Sequence, residues 1–253
     1  SITCGYCPPC RADRPNLCIR GGLLGRDLDG VFSELLAISE TQIHRVPDSV
    51  EPGAGPLLQV LGTCVHAQDA AAVFPGQVAA VVGLGVSGLL HLQLLVARGI
   101  DRIVAVTRSE WKKNLAMQLG AATVVSPEDA VTAVREMSDG LGADLVIECA
   151  GHEATLSQSI DVAAPGATVI AFGTLTGGGA GLPYYQLYHK ELTLRNPRAA
   201  LPRDYARAVD LAATGSIKLT PLVTHRLPLE EAPKALGTLI DDPSTLKIVF
   251  ELP

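Results

Sequence analysis

Four of the six cysteines lie in one short stretch near the start of the chain. Cys4, Cys7, Cys10 and Cys18 follow the spacing C-x2-C-x2-C-x7-C. Spacings this tight let backbone turns gather four thiolates around one tetrahedral ion at about 2.3 Å. Disulfides and an iron–sulfur cluster are the alternatives for such a set. We expect a zinc ion with a structural role, because four sulfur ligands leave no open position for a substrate.

A second chemical signal is a glycine motif in the middle of the chain. It reads G-x-G-x-x-G and lies between a short apolar run and a leucine-rich helical pattern. In that context the first glycine permits a tight turn, the second lets a pyrophosphate approach the backbone, and the third lets the helix pack close to the strand. A tight turn without a ligand is the alternative. The predicted phosphate-binding residues, at the start of the helix, are Gly83, Gly85, Val86, Ser87 and Gly88.

The end of the next apolar run indicates which dinucleotide is bound. An acidic residue about twenty positions after the glycine turn would accept the ribose hydroxyls of NAD. Here the run ends at Thr107, and Arg108 follows it. A guanidinium binds a 2′-phosphate bidentately, whereas a carboxylate would repel it. The sequence therefore predicts NADP, and NAD is the alternative if Arg108 points to solvent.

The residues around these motifs alternate between strand and helix patterns. The predicted strands are Val78–Val82, Arg102–Val106, Thr123–Ser126, Ala143–Glu148, Ala167–Phe172 and Leu192–Leu194. The predicted helices after the glycine motif include Trp111–Leu119, Pro127–Met137, Glu153–Ala163 and Tyr184–Lys190. This alternation predicts an α/β fold with a doubly wound, six-stranded parallel Rossmann sheet. The flanks contain a helix near Asp204–Thr214 and short strands, and they look like two parts of one second domain.

Composition and charge exclude several other classes of protein. The 253 residues are 47% hydrophobic and 18% charged, which is enough apolar material for a substantial core. The formal charge is −6 and no run of basic residues occurs, so we expect neither nucleic acid nor an acidic membrane as partner. No membrane-spanning apolar stretch or signal-peptide pattern is found, which predicts a cytoplasmic protein. The first residue is Ser1 rather than Met, and we expect a preceding segment to be missing.

The ordered motifs resemble those of one known family. They are the four-cysteine run, Asp29–Glu34, Pro47–Asp48, the glycine motif, Leu119–Ala121, Asp144–Gly151, Pro165–Gly166 and Leu222–Ala232. In this order they resemble zinc-containing medium-chain dehydrogenases and reductases, and in particular the polyol and threonine dehydrogenase branch. The resemblance implies a dinucleotide-binding domain at residues 61–196. Residues 1–60 and 197–253 would then form the remainder of a GroES-like, β-rich catalytic domain that carries the four-cysteine zinc lobe. Gly151 and Gly173 would join the cofactor-binding residues.

Two departures from the family pattern concern the catalytic metal. Family members carry a further segment ahead of the cysteine lobe, and that segment holds the first catalytic-zinc ligands. In this chain Gln59 stands where the family has its last catalytic-zinc ligand, and a neutral amide is a poor zinc ligand. A catalytic zinc is therefore doubtful. His66, His152, His189 and His225 are isolated, and we expect core or surface positions for them rather than a catalytic role.

The predicted function is an NADP-dependent oxidoreductase that transfers a hydride between nicotinamide and an alcohol or carbonyl substrate. A medium-chain reductase without catalytic zinc and a catalytically silent NADP(H)-binding module or fragment are the alternatives. The resemblance also implies a homodimer or homotetramer that pairs the apolar edge strand Leu192–Leu194 between subunits. The glycine-rich loop Gly177–Gly181, with Tyr184 and Tyr185, borders the expected nicotinamide end.

Overall fold

A computed structural model gives the fold and describes residues 2–175 and 181–252. Backbone contacts divide the chain into two compact units. One unit combines residues 1–66 with 198–253, and the other is the continuous stretch Ala67–Pro197. The domain boundaries at residues 60 and 196 that the sequence indicated stay a prediction.

The secondary structure alternates regularly in the second unit and is sparser in the first. The helices are α1 (Pro8–Arg11), α2 (Pro56–Asp69), α3 (Val86–Ala97), α4 (Glu110–Gln118), α5 (Ala130–Met137), α6 (Glu153–Val162), α7 (Tyr184–His189), α8 (Pro202–Ala213) and α9 (Ala232–Asp241). The strands are β1 (Val78–Val82), β2 (Arg102–Val106), β3 (Thr123–Val125), β4 (Ala143–Glu148), β5 (Ala163–Ala171), β6 (Thr193–Arg195), β7 (His225–Pro228) and β8 (Ile248–Glu251). No helix of the described residues is long and apolar enough to cross a membrane.

The Ala67–Pro197 unit is a six-stranded parallel sheet with the strand order β3-β2-β1-β4-β5-β6. The order reverses between β1 and β4, and such a switch point leaves a crevice outside the carboxyl ends of the strands where dinucleotides bind. The predicted doubly wound sheet is therefore confirmed. The bounds of β1, β2 and β4 are those expected from the sequence.

Burial explains why these strands could be recognised. All five residues of β1 are buried, as are most residues of β2 and β4. A parallel strand that is covered by helices on both faces reads as an almost continuous apolar run. The apolar core on one side of the sheet joins side chains of β1, β4 and β5 to those of α5 and α6.

One strand differs from the prediction. The sequence predicts a helix to Ala163 and a strand from Ala167, but β5 already begins at Ala163. Ala163 pairs with Ala143, and the register then shifts before the regular pairing of β4 with β5 resumes. The backbones approach closely at this point, because a Cβ on Gly142 would lie only 2.7 Å from the amide nitrogen of Ala164. Tertiary pairing therefore extends the strand through Pro165, where local propensity indicates a turn.

The described part of the other unit contains one small sheet, in which β7 and β8 pair in parallel. The predicted helix near Asp204–Thr214 is present as α8, whereas α9 lies where the sequence indicated short strands. The described part of residues 30–47 contains no strand, and its one regular element is a short 3-10 turn at Glu40–Gln42. The β-rich character expected for this unit is thus present only in part.

Candidate dinucleotide and zinc sites

The structure brings the four predicted cysteines together. Their sulfur atoms all lie within 4.8 Å of one another. The Sγ atom of Cys7 lies 3.4 Å from that of Cys10 and 3.8 Å from that of Cys18. Sulfur ligands in a tetrahedron around zinc are about 3.8 Å apart, whereas disulfide sulfurs are about 2.05 Å apart. The geometry of these free thiols therefore fits a tetrahedral zinc ion and does not fit disulfides.

Hydrogen bonds from the backbone favour thiolates in this cluster. Burial raises the pKa of the Cys7 thiol, but hydrogen bonds with the backbone of Cys10 and Ile19 outweigh this effect and lower the pKa to about 6. Backbone hydrogen bonds also lower the pKa of Cys18. Burial and the neighbouring Cys7 sulfur raise the pKa of Cys10 to about 12. Because zinc binds the thiolate form, two of the four ligands are already favoured in the state that the ion needs.

A polar network holds the segment between the third and fourth cysteines. The side-chain amide of Asn16 donates to the backbone carbonyl of Arg198 at 2.9 Å and lies 3.4 Å from Nε2 of His66. Nδ1 of His66 lies 2.8 Å from Oδ2 of Asp204, and the same carboxylate oxygen accepts the backbone N–H of Leu201 at 2.8 Å. His66 therefore has a positioning contact, although the sequence indicated only an isolated histidine. Asp204 is 138 residues away along the chain, so no sequence pattern links the two.

The glycine turn has the geometry that the motif predicts. Gly83 has φ +93°, and a Cβ there would lie 2.9 Å from Ala150. A Cβ on Gly88 would lie 2.0 Å from the carbonyl oxygen of Gly83, so only glycine allows α3 to pack this close to the turn. A Cβ on Gly85 would meet nothing within 4 Å, which leaves room for a ligand at the helix start. No side chain caps this helix N-terminus, where Val86 and Ser87 begin α3, and such an end favours a phosphate group.

Thr107 and Arg108 directly follow β2, at the carboxyl end of the sheet. The Thr107 hydroxyl accepts the backbone N–H of Ser109 at 3.3 Å. The side chain of Arg108 is exposed, and within the described residues it makes no hydrogen bond or ion pair. The guanidinium is therefore available to a ligand, without an existing contact that would have to be broken first.

Two lysines, Lys112 and Lys113, follow Arg108 in the first turn of α4. Both are half-buried. Lys112 lies 5.3 Å from the centre of the Trp111 ring, and burial lowers the pKa of its ammonium group. Lys113 donates to the carboxylate of Glu110 at 2.7 Å and to the hydroxyl of Ser126 at 3.0 Å. Glu110 is the acidic residue closest to Arg108 in the sequence, and its carboxylate is therefore paired with Lys113.

Sequence reasoning missed a buried acid that contacts both Gly151 and Gly173. Glu148 is the last residue of β4 and is fully buried. Its Oε1 atom accepts the backbone N–H groups of Ala150 and Gly151 and the hydroxyl of Thr155, at 2.7 to 2.8 Å. Gly173 packs against the same place, since a Cβ there would lie 2.3 Å from the Gly151 nitrogen. An acidic residue at the end of the apolar run Leu145–Ile147 was the one signal that could have indicated it.

Gln59 lies on α2 in the other unit. Its side chain is exposed and hydrogen-bonds to Tyr205, whose pKa is raised by burial and lowered in part by this contact. Both residues, with His44, line a cleft of about 510 Å³ within this unit. The four cysteines are the one group of metal-ligating side chains that lies together in residues 2–175 and 181–252. Of the glycine-rich loop near the expected nicotinamide end, residues 177–180 lie outside the described part of the chain.

The chain combines a crevice at the switch point, a glycine turn and a four-cysteine lobe. Together these features define a dinucleotide-binding protein with a zinc lobe. The family model for zinc-binding dehydrogenases matches residues 86–214. L-threonine 3-dehydrogenase of Bacillus licheniformis is 31% identical over 240 residues, which are 92% of this chain and 68% of that enzyme. The chain belongs to the zinc-binding dehydrogenase family, and the resemblance to medium-chain dehydrogenases is confirmed.

Two solved structures support the same assignment. A Sinorhizobium meliloti protein described as a zinc-binding dehydrogenase, with bound NADP, has a TM-score of 0.89 and 33% identity. The match covers 98% of this chain and 74% of that one. An alcohol dehydrogenase of Thermus sp. ATN1 has a TM-score of 0.90 and 30% identity, over 100% of this chain and 75% of that one. The chain is thus an oxidoreductase of the alcohol dehydrogenase type, and it spans about two thirds to three quarters of the length of these relatives.

Proposed function

We propose that the protein is an NADP-dependent oxidoreductase that interconverts a small-molecule alcohol and the corresponding carbonyl compound. The observation that carries the cofactor preference is the unpaired, exposed guanidinium of Arg108 at the end of β2, where NAD-binding proteins have a carboxylate. The Sinorhizobium meliloti neighbour, which was solved with NADP, supports the same preference.

Each residue of the proposed dinucleotide site has a separate role. The turn around Gly83 and Gly85 receives the pyrophosphate at the start of α3, and Arg108 binds the 2′-phosphate. The bound dinucleotide supplies the hydride chemistry, and the carboxyl ends of β4 and β5 orient its nicotinamide half. The four-cysteine lobe would hold one zinc ion, whose role is structural because no ligand position is left open.

A reductase without catalytic zinc is the second candidate function. It is favoured by Gln59, whose neutral amide is engaged with Tyr205 at the position of the family's last catalytic-zinc ligand. Metal analysis of the purified protein separates the two candidates. We expect two zinc ions per chain if the alcohol dehydrogenase mechanism uses a catalytic metal, and one if only the four-cysteine lobe is filled.

We further propose a reducing compartment such as the cytoplasm, because the zinc lobe needs four reduced thiols. We also propose that the protein is a homodimer or homotetramer. The edge strand β6 supports this proposal, since within the described residues it pairs on one side only, with β5. Its exposed side chains are Thr193 and Arg195, while Leu194 is half-buried, so the edge is less apolar than the sequence indicated.

Titration of the purified protein with NADPH and NADH tests the proposed function. We expect NADPH to bind more tightly by roughly ten- to a hundredfold, the range for hydrogen bonds to a charged group. Because the pyrophosphate contacts are common to both dinucleotides, NADH should still bind. Equal affinities or a preference for NADH would refute the cofactor assignment, and no binding of either dinucleotide would refute the function as a whole.

A further inference from the structure

Glu148 contacts two loops that follow neighbouring strands of the sheet. Its Oε1 atom accepts three hydrogen bonds, two of them from the consecutive backbone N–H groups of Ala150 and Gly151. Its own backbone carbonyl accepts the N–H groups of Phe172 and Gly173, both at 2.9 Å. One residue thus holds the loop after β4 through its side chain and the loop after β5 through its backbone.

These two loops lie at the carboxyl ends of neighbouring strands and pack directly against each other. Gly151 has φ +76°, and a Cβ on it would lie 3.1 Å from the carbonyl oxygen of Thr174. A Cβ on Gly173 would lie 2.3 Å from the nitrogen of Gly151 and 2.7 Å from Oε2 of Glu148. Neither position accepts a side chain without movement of backbone or of the carboxylate. The shape of this part of the crevice therefore depends on where the Glu148 side chain lies.

The hydrogen bonds also decide which way the peptide groups face. All described peptides are trans, so the carbonyl and N–H of each peptide unit point in opposite directions. Because the N–H groups of Ala150 and Gly151 point to Glu148, the carbonyls of Cys149 and Ala150 point away from it. Within the described residues the Ala150 carbonyl accepts no hydrogen bond. It is thus an acceptor that remains available to a hydroxyl or amide donor of a ligand.

The position of these loops in the sheet indicates which part of the dinucleotide they contact. The adenosine end lies over β2, where Arg108 follows the strand, and the pyrophosphate crosses at the switch point between β1 and β4. The nicotinamide half must then lie over β4 and β5. We propose that Glu148 is a positioning residue, which fixes the loops around Gly151 and Gly173 in the shape that binds the nicotinamide half of the dinucleotide.

This inference rests on the proposed function, and binding measurements test it with two ligands. NADPH contacts the whole crevice, whereas adenosine 2′,5′-bisphosphate contacts only the adenosine end. Glu148→Leu removes the acceptor of all three donors, and we expect it to weaken NADPH binding at least about tenfold while the bisphosphate affinity stays within about twofold. Glu148→Gln offers an amide oxygen to the same donors, and we expect it to restore most of the NADPH affinity.

Asp144→Asn is the matched control, because Asp144 is also an acidic residue of β4. Its carboxylate accepts the backbone N–H of Val78 at 2.8 Å, but at the opposite end of the sheet from the crevice. We expect this variant to change neither affinity. If Glu148→Leu does not fold, Thr155→Val removes one of the three donors, and we expect the same selective loss of NADPH affinity at a smaller size.

Three outcomes would overturn the role of Glu148. They are unchanged NADPH affinity in the variant that is tested, an equal loss for NADPH and the bisphosphate, and an equal loss for Asp144→Asn. Wild-type protein that binds neither ligand would instead refute the proposed function, so the two failures are distinguishable. A thermal unfolding scan of each variant confirms that the protein measured is folded.

Discussion

Replacement of Arg108 by alanine separates a specific phosphate contact from general electrostatic attraction. The guanidinium is exposed, and within the described residues it has no partner, so its contact with a 2′-phosphate would not replace an existing ion pair. A hydrogen bond to a charged group contributes about 1.5 to 3 kcal/mol, and solvent exposure favours the lower end of that range. We therefore expect Arg108→Ala to weaken NADPH binding by roughly tenfold.

The same substitution should leave NADH binding nearly unchanged, because NADH has no 2′-phosphate and shares the pyrophosphate contacts at the glycine turn. Arg135→Ala is a suitable control, since it removes an exposed arginine of α5 in the same unit and changes the net charge equally. Fluorescence or calorimetric titration with both dinucleotides gives the affinities. If Arg135→Ala reduces NADPH affinity as much as Arg108→Ala does, the attraction is a long-range effect of charge and the assigned contact is wrong.

Three other predictions concern stability and assembly. Cys10→Ser removes one of the four ligands, so this variant should lose zinc to a chelator that does not remove zinc from the wild-type protein. Metal analysis measures the loss, and Cys149→Ser, which lies outside the cluster, should keep its zinc. Burial lowers the pKa of His91 to about 3, so unfolded chains take up a proton below about pH 6.5 that the folded chain does not. Stability is therefore lost as the pH falls from about 6.5 towards 3. Urea unfolding should show that the free energy of unfolding is about 2 kcal/mol lower at pH 5 than at pH 7, and His91→Leu should lack this loss. An identical pH dependence in both proteins would contradict this. Light scattering should give a dimer or tetramer, and a monomer at working concentration would exclude pairing through β6.

The sequence could predict those parts of the fold that local pattern determines. The strands of the sheet read as apolar runs because helices cover both faces, and the glycine motif is confined to one turn with strict steric needs. The start of β5 could not be read in this way, because pairing of Ala163 with Ala143 overrides the turn signal of Pro165 and Gly166. Helix α9 was missed in a stretch where the sequence indicated short strands.

For the sites, the sequence indicated the residues that could contact ligands. It did not indicate the residues that hold those contact residues in place. The spacing of the cysteines and of the glycines is enough to indicate the ligand that each set could bind. By contrast, His66 acquires its role from Asp204, and the buried Gln68 donates to Nδ1 of His91 at 3.1 Å. The partners lie on different helices, 138 residues apart in the first pair and 23 in the second. Nothing in the local pattern around either partner shows that the other will lie beside it.

The buried acids explain why such contacts concentrate near the sites. A buried carboxylate is costly unless several donors compensate it. Asp204 meets this condition with the backbone N–H of Leu201 and the ring of His66, and the Oε1 atom of Glu148 meets it with two backbone N–H groups and a hydroxyl. One partner of Asp204 is His66, which lies beside Asn16 in the cysteine segment. Two of the donors to Glu148 are backbone groups of the crevice loop after β4. An acid that is satisfied only by one loop conformation therefore stabilises that conformation, which is the property that a preorganised binding site requires.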